Sequence, residues 1–147
     1  MIAAYYDHAD CITALHNTYC DKINYNAIDK YALLLAARYG HADCITALYD
    51  AYGDKIDYNA VDEYNNNALL LAVIFKHIDY ITTLYNTFGN KINCNTVNKN
   101  NQNAFMLIVF AHDRHWLDCI TTLYNTYGDT IDINAVDNKG YTAIEVA

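Results

Sequence analysis

Apolar and polar residues along this chain are spaced as in short, paired helices. The stretch Ala68–Phe75 is wholly apolar and follows Asn67, a residue type that caps helices by accepting a bond from a free backbone N–H. A helix that is apolar all round must lie between neighbours. A second helix is predicted from about Ile78 to Phe88, because its apolar residues follow the i, i+3, i+4, i+7 spacing of one buried face. These residues are Ile81, Leu84, Tyr85 and Phe88.

Glycine marks the end of this second helix. Gly89 follows it directly, and Gly53 and Gly128 hold the equivalent positions in other parts of the chain. Glycine enters the left-handed region without a steric penalty, so each position is predicted to stop a helix in that conformation.

The whole pattern recurs along the chain. The tetrapeptide that begins at Asp10 returns at Asp43, Asp79 and Asp118, in steps of 33, 36 and 39 residues. A second anchor moves by the same steps, at Asn26, Asn59, Asn95 and Asn134. Recurrence at such periods is typical of stacked repeats. The predicted fold class is therefore all-α, a nearly all-helical solenoid of helix pairs.

Several motifs resemble those of ankyrin repeats. Residues 137–147 read Asp-Asn-Lys-Gly-Tyr-Thr-Ala-Ile-Glu-Val-Ala, which is similar to that family's Asp-x-x-Gly-x-Thr-Pro-Leu-His-Leu-Ala. Leu35–His41 resembles its Leu-Ala-Ala-x-x-Gly-His, and Asn59–Asp62 resembles its Asn-Ala-x-Asp. The resemblance covers essentially the whole chain. It implies antiparallel helix pairs, a hairpin finger between repeats and a curved solenoid.

The chain also departs from the family pattern. Alanine stands where the family has proline, at Ala68, Ala104 and Ala143. The family's histidine, which ties repeats together, is replaced by Leu34, Leu70, Met106 and Glu145. We therefore expect that hydrogen-bond network to be absent, with hydrophobic packing in its place. The first hairpin, Asp29–Ala32, lacks three residues of its tip, and the third unit gains three near residues 112–116.

One domain is expected over residues 1–147. It divides into a partial first repeat, three full repeats and a partial last repeat, with the boundaries 1–29, 30–62, 63–98, 99–137 and 138–147. The expected core positions recur once per repeat: Leu35, Leu71 and Leu107, with Ile45, Ile81 and Ile120. Both ends fall inside a unit, so the chain is either part of a longer array or associates through its ends.

Composition excludes several classes of function. The net charge is −8 with only 9 Lys and Arg, whereas nucleic acid binding needs a basic face. The sequence contains no 18-residue apolar run, so no membrane span is predicted. Its first residues do not resemble a secretory signal. Five cysteines without a Cys-x-x-Cys pair favour free thiols in a reducing compartment, the cytoplasm. An Asn-, Ile- and Tyr-rich composition is typical of AT-rich microbes and viruses, which extends this expectation to a host-cell cytoplasm.

No catalytic set can be assembled from the sequence. The chain has no serine, and no base, nucleophile and oxyanion donors can be named together, so neither an enzymatic activity nor a cofactor is expected. Residues 112–115, His-Asp-Arg-His, place His115 one helical turn from Cys119, as metal ligands would be. Cys119, however, shares its repeat position with Cys11 and Cys44, which favours a packing role. The cluster is interpreted as a loop insertion, without a metal.

Two recurring residue types have functional and structural interpretations. The equivalent cysteines suggest a disulfide ladder, but stacked units hold equivalent α-carbons beyond the roughly 7 Å that a disulfide allows, so all five are predicted to be reduced. Tyrosines that recur at Tyr49, Tyr85 and Tyr124 could serve phosphorylation or nucleotide stacking. Their fixed repeat position favours packing in the core or between repeats.

The resemblance also implies a partner-binding surface on the finger tips and on the solvent side of the first helices. Carried over position by position, it comprises Lys30, Tyr31, Arg38, Tyr39, Glu63, Tyr64, Asn66, Ile74, Phe75, Lys99, Asn100, Gln102, Phe110, Trp116, Asn138, Lys139 and Tyr141. The expected function is a protein–protein interaction module that holds a partner on its concave face and fingers. The alternative is a targeting or scaffold segment of a longer enzyme or effector.

Overall fold

The computed structural model describes residues 2–10, 12–14, 25–111 and 116–146, and these ranges fold as a stack of helix pairs. Its helices are α1 Ile2–Tyr5, α2 Tyr25–Tyr39, α3 Ala42–Tyr52, α4 Ala68–Ile74, α5 Ile78–Phe88, α6 Ala104–Phe110, α7 Leu117–Tyr127 and α8 Ala143–Val146. Short 3₁₀ turns at Gly53–Lys55 and Gly89–Lys91 follow α3 and α5. Within the described ranges the β-structure is one isolated antiparallel bridge, Val136 to Thr142.

The helices form two layers. The first helices of successive units, α1, α2, α4, α6 and α8, pack side by side, and the second helices α3, α5 and α7 pack in the other layer. Three first helices also pack against the second helix of their own unit, α2 on α3, α4 on α5 and α6 on α7. The predicted all-α solenoid is confirmed.

The unit formed by α4 and α5 follows the sequence pattern closely. Asn67 caps α4, and its side-chain oxygen accepts a 3.0 Å bond from the backbone N–H of Leu70. Helix α5 has the predicted bounds. Gly89 ends it with φ 54°, the positive value that favours glycine.

The left-handed stop predicted at Gly128 is wrong. Its φ is −55° and its ψ −35°, which are helical values. The reason is local, because Gly128 N–H bonds Tyr124 O at 2.9 Å and Ile131 N–H bonds Tyr127 O at 2.8 Å. The helical bonding pattern thus runs on past α7, and no reversal is needed at this residue.

The hairpin predicted at Asp29–Ala32 is also wrong, since these residues lie inside the fifteen-residue helix α2. The later fingers each turn through a residue with positive φ, at Asn65 (66°), Asn101 (60°) and Gly140 (85°). The first unit lacks the three tip residues that would include such a position. With neither a turn residue nor glycine or proline, the chain stays helical.

The core lies between the two layers. Ile45 and Ile81 are 0% exposed and Leu71 is 5% exposed, as predicted. Leu107 and Ile120 are only partly buried but pack against this core, and Leu35 is partly buried. The residues one place earlier in the first helices are the more central ones: Leu34 is 5%, Leu70 1% and Met106 0% exposed. These are the positions of the family's histidine, so apolar side chains there carry the packing.

Hydrophobic packing is not the only tie between the repeats, because asparagines join them as well. Asn59 donates to Lys91 O at 2.8 Å and accepts from Asn93 N–H at 2.7 Å. Asn95 repeats this geometry one unit on, with Thr130 O at 2.9 Å and Asp132 N–H at 2.6 Å. Each asparagine thus bonds the backbone of the next repeat twice.

The helix caps contribute to the same ties. Asn67 and Asn103 are 0% and 1% exposed. The side-chain oxygen of Asn103 caps α6 by accepting a 3.0 Å bond from Met106 N–H. The nitrogen of the same amide donates to Asp132 O at 2.7 Å. A buried amide that satisfies both of its ends in this way stabilises the stack instead of leaving a polar group unpaired.

Tyrosine packing between repeats is confirmed at two of the three predicted positions. Tyr49 meets Phe88 edge to face at 5.5 Å, and Tyr85 meets Tyr127 in the same way at 5.1 Å. Tyr124 does not follow, because it is 67% exposed. In each packed pair the tyrosine covers an aromatic residue of the following second helix.

The described cysteines are free thiols. Cys44, Cys94 and Cys119 are buried and unbridged, which agrees with the sequence prediction. Cys11 and Cys20 lie outside the described residues. Burial, followed by the nearby Asp7 carboxylate, raises the pKa of the Cys44 thiol to about 12, so this thiol is neutral and unreactive at physiological pH.

Candidate functional site: finger surface and turn edge

Each finger is held by one side-chain acceptor at its base. The Asp62 carboxylate accepts the N–H groups of Tyr64 and Asn66, both at 2.8 Å. Asn98 and Asp137 do the same in the next two fingers. Such Asx turns form where a short acceptor can bond the backbone two residues on, so the sequence folds each tip locally.

Neighbouring fingers are joined by backbone bonds. Lys99 N–H donates to Tyr64 O at 3.0 Å, and Asn138 N–H donates to Asn100 O at 3.0 Å. The ammonium of Lys99 also lies 5.9 Å from the centre of the Tyr64 ring. The three tips therefore form one continuous ridge instead of three independent loops.

We call the exposed residues of this ridge the finger surface. It consists of Glu63, Tyr64, Lys99, Asn100, Asn138, Lys139 and Tyr141, all exposed. Tyr64 and Tyr141 are its largest apolar side chains, at 59% and 51% exposure. Two lysines and one glutamate give it both signs of charge on a chain whose net charge is −8.

The other predicted residues lie at the opposite end of the first helices. Tyr39 ends α2 and Phe75 follows α4, and they are 41% and 40% exposed. The Arg38 guanidinium lies 5.3 Å from the centre of the Phe75 ring. Helix α4 has seven residues, so this end is about 10 Å from the fingers at 1.5 Å rise per residue. The single surface predicted from sequence is therefore two surfaces.

Several predicted residues belong to neither exposed surface. Asn66 is 6% exposed and donates to Asp62 Oδ2 at 3.1 Å. Trp116 is 7% exposed, within the core and beneath the Lys76 ammonium at 5.0 Å. Both predictions are corrected, because a buried side chain cannot contact a partner. Three others, Ile74, Gln102 and Phe110, are half-buried.

Two predicted finger residues lie in a helix. Lys30 and Tyr31 fall inside α2, so no hairpin presents them. Tyr31 is 51% exposed on that helix, and the side chain of Lys30 lies outside the described residues. The shortened first unit therefore contributes a helix where the following units contribute fingers.

A third exposed set lies on α7 and α8. Leu117 is 68%, Tyr124 67%, and Ile144 of α8 65% exposed. Their equivalents one unit earlier include Tyr85, which packs on Tyr127. Tyr124 holds the same place in its repeat as Tyr85, and the described residues include no later second helix that could cover it. We call this set the α7 face.

The candidate metal cluster cannot be placed, because residues 112–115 lie outside the described ranges. Cys119 is 1% exposed in the core, which agrees with its predicted packing role. Within the described ranges no three His, Cys, Asp or Glu side chains gather where they could hold a metal ion. In the same ranges no helix combines the length and the apolar character that crossing a bilayer requires.

Comparison with known families agrees with this architecture. Residues 1–98 match the family model for ankyrin repeats in three copies. The chain belongs to the ankyrin-repeat family. A comparison with curated proteins gives no match. Ankyrin repeats are in general protein–protein interaction modules. This ankyrin array exposes aromatic and charged residues on the finger surface and at the opposite end of the first helices.

Proposed function

We propose that this ankyrin array is a non-catalytic module that binds a partner protein through the finger surface and the adjoining concave side of the first helices. The observation that carries the proposal is the bonding of the tips to one another, through Lys99 to Tyr64 and Asn138 to Asn100. A surface that is ordered before binding loses less conformational entropy when a partner arrives.

The composition of the ridge supports a protein partner. Tyr64 and Tyr141 are exposed, and tyrosine is enriched among residues that dominate binding energy. Lys99 and Lys139 flank them, while the chain as a whole is acidic. This arrangement suits a partner with acidic groups around an apolar contact, and the net charge of −8 opposes nucleic acid.

The proposal is tested by capturing partners on the full chain and on two variants. Tyr64→Ala combined with Lys99→Glu changes the finger surface, and Lys55→Glu in the turn after α3 is the charge-matched control. The finger variant is expected to weaken capture of any specific partner by roughly tenfold or more, and the control to retain it. Equal capture by all three proteins would exclude the finger surface.

Self-association through the α7 face is a second proposal. It is supported by Leu117 and Tyr124, which lie two helical turns apart on α7 and are 68% and 67% exposed, since exposed apolar surface favours association. Sedimentation of the wild type should show a concentration-dependent oligomer, and Tyr124→Glu should shift it to the monomer. A wild type that stays monomeric at the highest attainable concentration would refute this proposal.

A further inference from the structure

The turn between the two helices of each unit carries an aromatic residue two places before a histidine. Tyr6 lies 6.3 Å from His8 and Tyr39 lies 6.1 Å from His41, measured between ring centres. In the next unit Phe75 lies 6.3 Å from His77. The three aromatic side chains are 62%, 41% and 40% exposed. They form a row, one per repeat, along the end of the helices opposite to the fingers.

An open groove of about 480 Å³ lies beside this row, between α3 and α5. Three carboxylates from three successive units line it, those of Asp7, Asp43 and Asp79. Its remaining polar side chains are His41 and two threonines, Thr82 and Thr83. His41 connects the two features, because it stacks on Tyr39 and also lines the groove.

The acidic positions continue along the stack. Asp10, Asp43, Asp79 and Asp118 hold the same place in successive units, and all four are exposed. Asp43, Asp79 and Asp118 lie in the first turns of α3, α5 and α7, where they also favour the helix dipole. Among the described residues the ion pair at this end is His41 to Asp7, at 3.6 Å.

The protein itself places cations on the aromatic residues of this end. The Arg38 guanidinium lies over Phe75 at 5.3 Å, and the Lys76 ammonium lies over Trp116 at 5.0 Å. Both contacts join one unit to the next. Cation–aromatic stacking is therefore a contact that the geometry of this edge already accommodates.

We propose that this turn edge, defined by Tyr6, Tyr39 and Phe75 with Asp7, Asp43 and Asp79, docks an extended basic segment of a partner protein. Packed helices lie about 8–10 Å apart, so the aromatic row and the equivalent carboxylates of Asp43 and Asp79 repeat at that interval, and Asp7 adds a carboxylate from the turn of the preceding unit. A polyproline-type segment rises about 3.1 Å per residue with three residues per turn, which returns the same face every 9 Å or so. Arginine or lysine at every third residue thus meets one carboxylate and one aromatic ring per repeat.

The test uses the full chain and fluorescein-labelled peptides, at low salt and about pH 8. The probe has four Arg-Pro-Pro triplets, and its matched control has the same composition with the four arginines adjacent. Fluorescence anisotropy should show tighter binding of the periodic probe, by about threefold or more, and weakening as salt is raised. Equal affinity for the two peptides would overturn the proposed register, and no binding would overturn the site.

Variants separate the turn edge from general electrostatic attraction. Asp43→Asn with Asp79→Asn should weaken the periodic probe about tenfold, whereas Glu63→Gln with Asp129→Asn makes the same charge change elsewhere and should have little effect. Tyr39→Leu, which removes the aromatic face, should cost about threefold. Equal losses in both double variants would mean that binding depends on net charge alone. Thermal unfolding checks that each variant folds.

The finger surface is independent of this site. Tyr64→Ala with Lys99→Glu should leave the affinity of the periodic probe unchanged, because those residues lie at the other end of the first helices. The proposed function can therefore fail while the turn edge binds, and the turn edge can fail while the fingers retain a partner.

Discussion

The hydroxyl of Tyr80 donates a 2.8 Å hydrogen bond to the backbone carbonyl of Leu33. The bond joins α5 to the first helix of the preceding unit, and Tyr80 is 0% exposed. Its burial raises the pKa of the phenol well above the usual value. Tyr127 is the contrasting case, because its hydroxyl is buried without a hydrogen-bond partner among the described residues.

These two tyrosines should respond in opposite ways to loss of the hydroxyl. Tyr80→Phe removes a hydrogen bond between two buried groups, so the free energy of unfolding should fall by about 1 kcal/mol. Tyr127→Phe removes a buried polar group that has no partner, so it should be neutral or stabilising. Urea unfolding followed by circular dichroism measures both. Equal losses in the two variants would contradict this assignment of the hydrogen bonds.

Tyr85 and Tyr124 occupy equivalent places and should differ in their contribution. Tyr85→Ala removes an edge-to-face contact with Tyr127 and should cost roughly 2–4 kcal/mol. Tyr124→Ala, at a side chain that is 67% exposed, should cost less than about 0.5 kcal/mol. Thermal and urea unfolding at a concentration where the protein is monomeric test the difference. A comparable loss at Tyr124 would mean that its face is covered in solution.

Asn103 performs two tasks that substitution can separate. Asn103→Ala removes both the cap on Met106 and the bond to Asp132 O, and should cost about 2–4 kcal/mol. Asn103→Ser keeps an oxygen that can cap, so its loss should be about half as large. Chemical unfolding of the two variants measures both losses. Equal stability of the alanine and serine variants would show that the cap does not contribute to stability.

Stability should fall at alkaline pH. The Cys44 thiol has a pKa of about 12 in the folded protein against 9.0 as its ordinary value. Above pH 9 the unfolded chain therefore loses this proton while the folded chain keeps it, and the unfolding free energy falls until pH 12. The slope from this one group is at most about 1.4 kcal/mol per pH unit. Cys44→Ala should flatten the profile between those values, and an unchanged slope would contradict the assignment.

Much of the fold could be predicted from the sequence because it is specified locally. The bounds of α5 follow from Ile78, Phe88 and the glycine after it, and the cap of α4 follows from one asparagine before an apolar run. Helix α2 was missed because its register was inferred from longer units. The first unit has no residue equivalent to Asn65, whose positive φ forms the finger turn. That absence was the one feature of the sequence that indicated a helix.

The candidate site was predicted in part, and tertiary packing accounts for the rest. Tyr64 and Lys99 could be placed on fingers because turn chemistry is local. Trp116 could not be recognised as buried, since the Lys76 side chain that covers it belongs to another unit. The asparagine ties escaped prediction for a similar reason. They span more than thirty residues, as from Asn59 to Lys91 and Asn93. The recurrence of asparagine at Asn59 and Asn95 indicated the positions but not their bonding partners.

The ties from Asn59 and Asn95 end on backbone atoms, so they require a particular side chain on one unit only. The unit that receives the bonds can exchange its own side chains at those contact points without losing them. A unit that is duplicated behind such an asparagine would be joined to its neighbour at once, with no matching mutation. The array can therefore lengthen, shorten or diversify its surface one repeat at a time while its units stay in register.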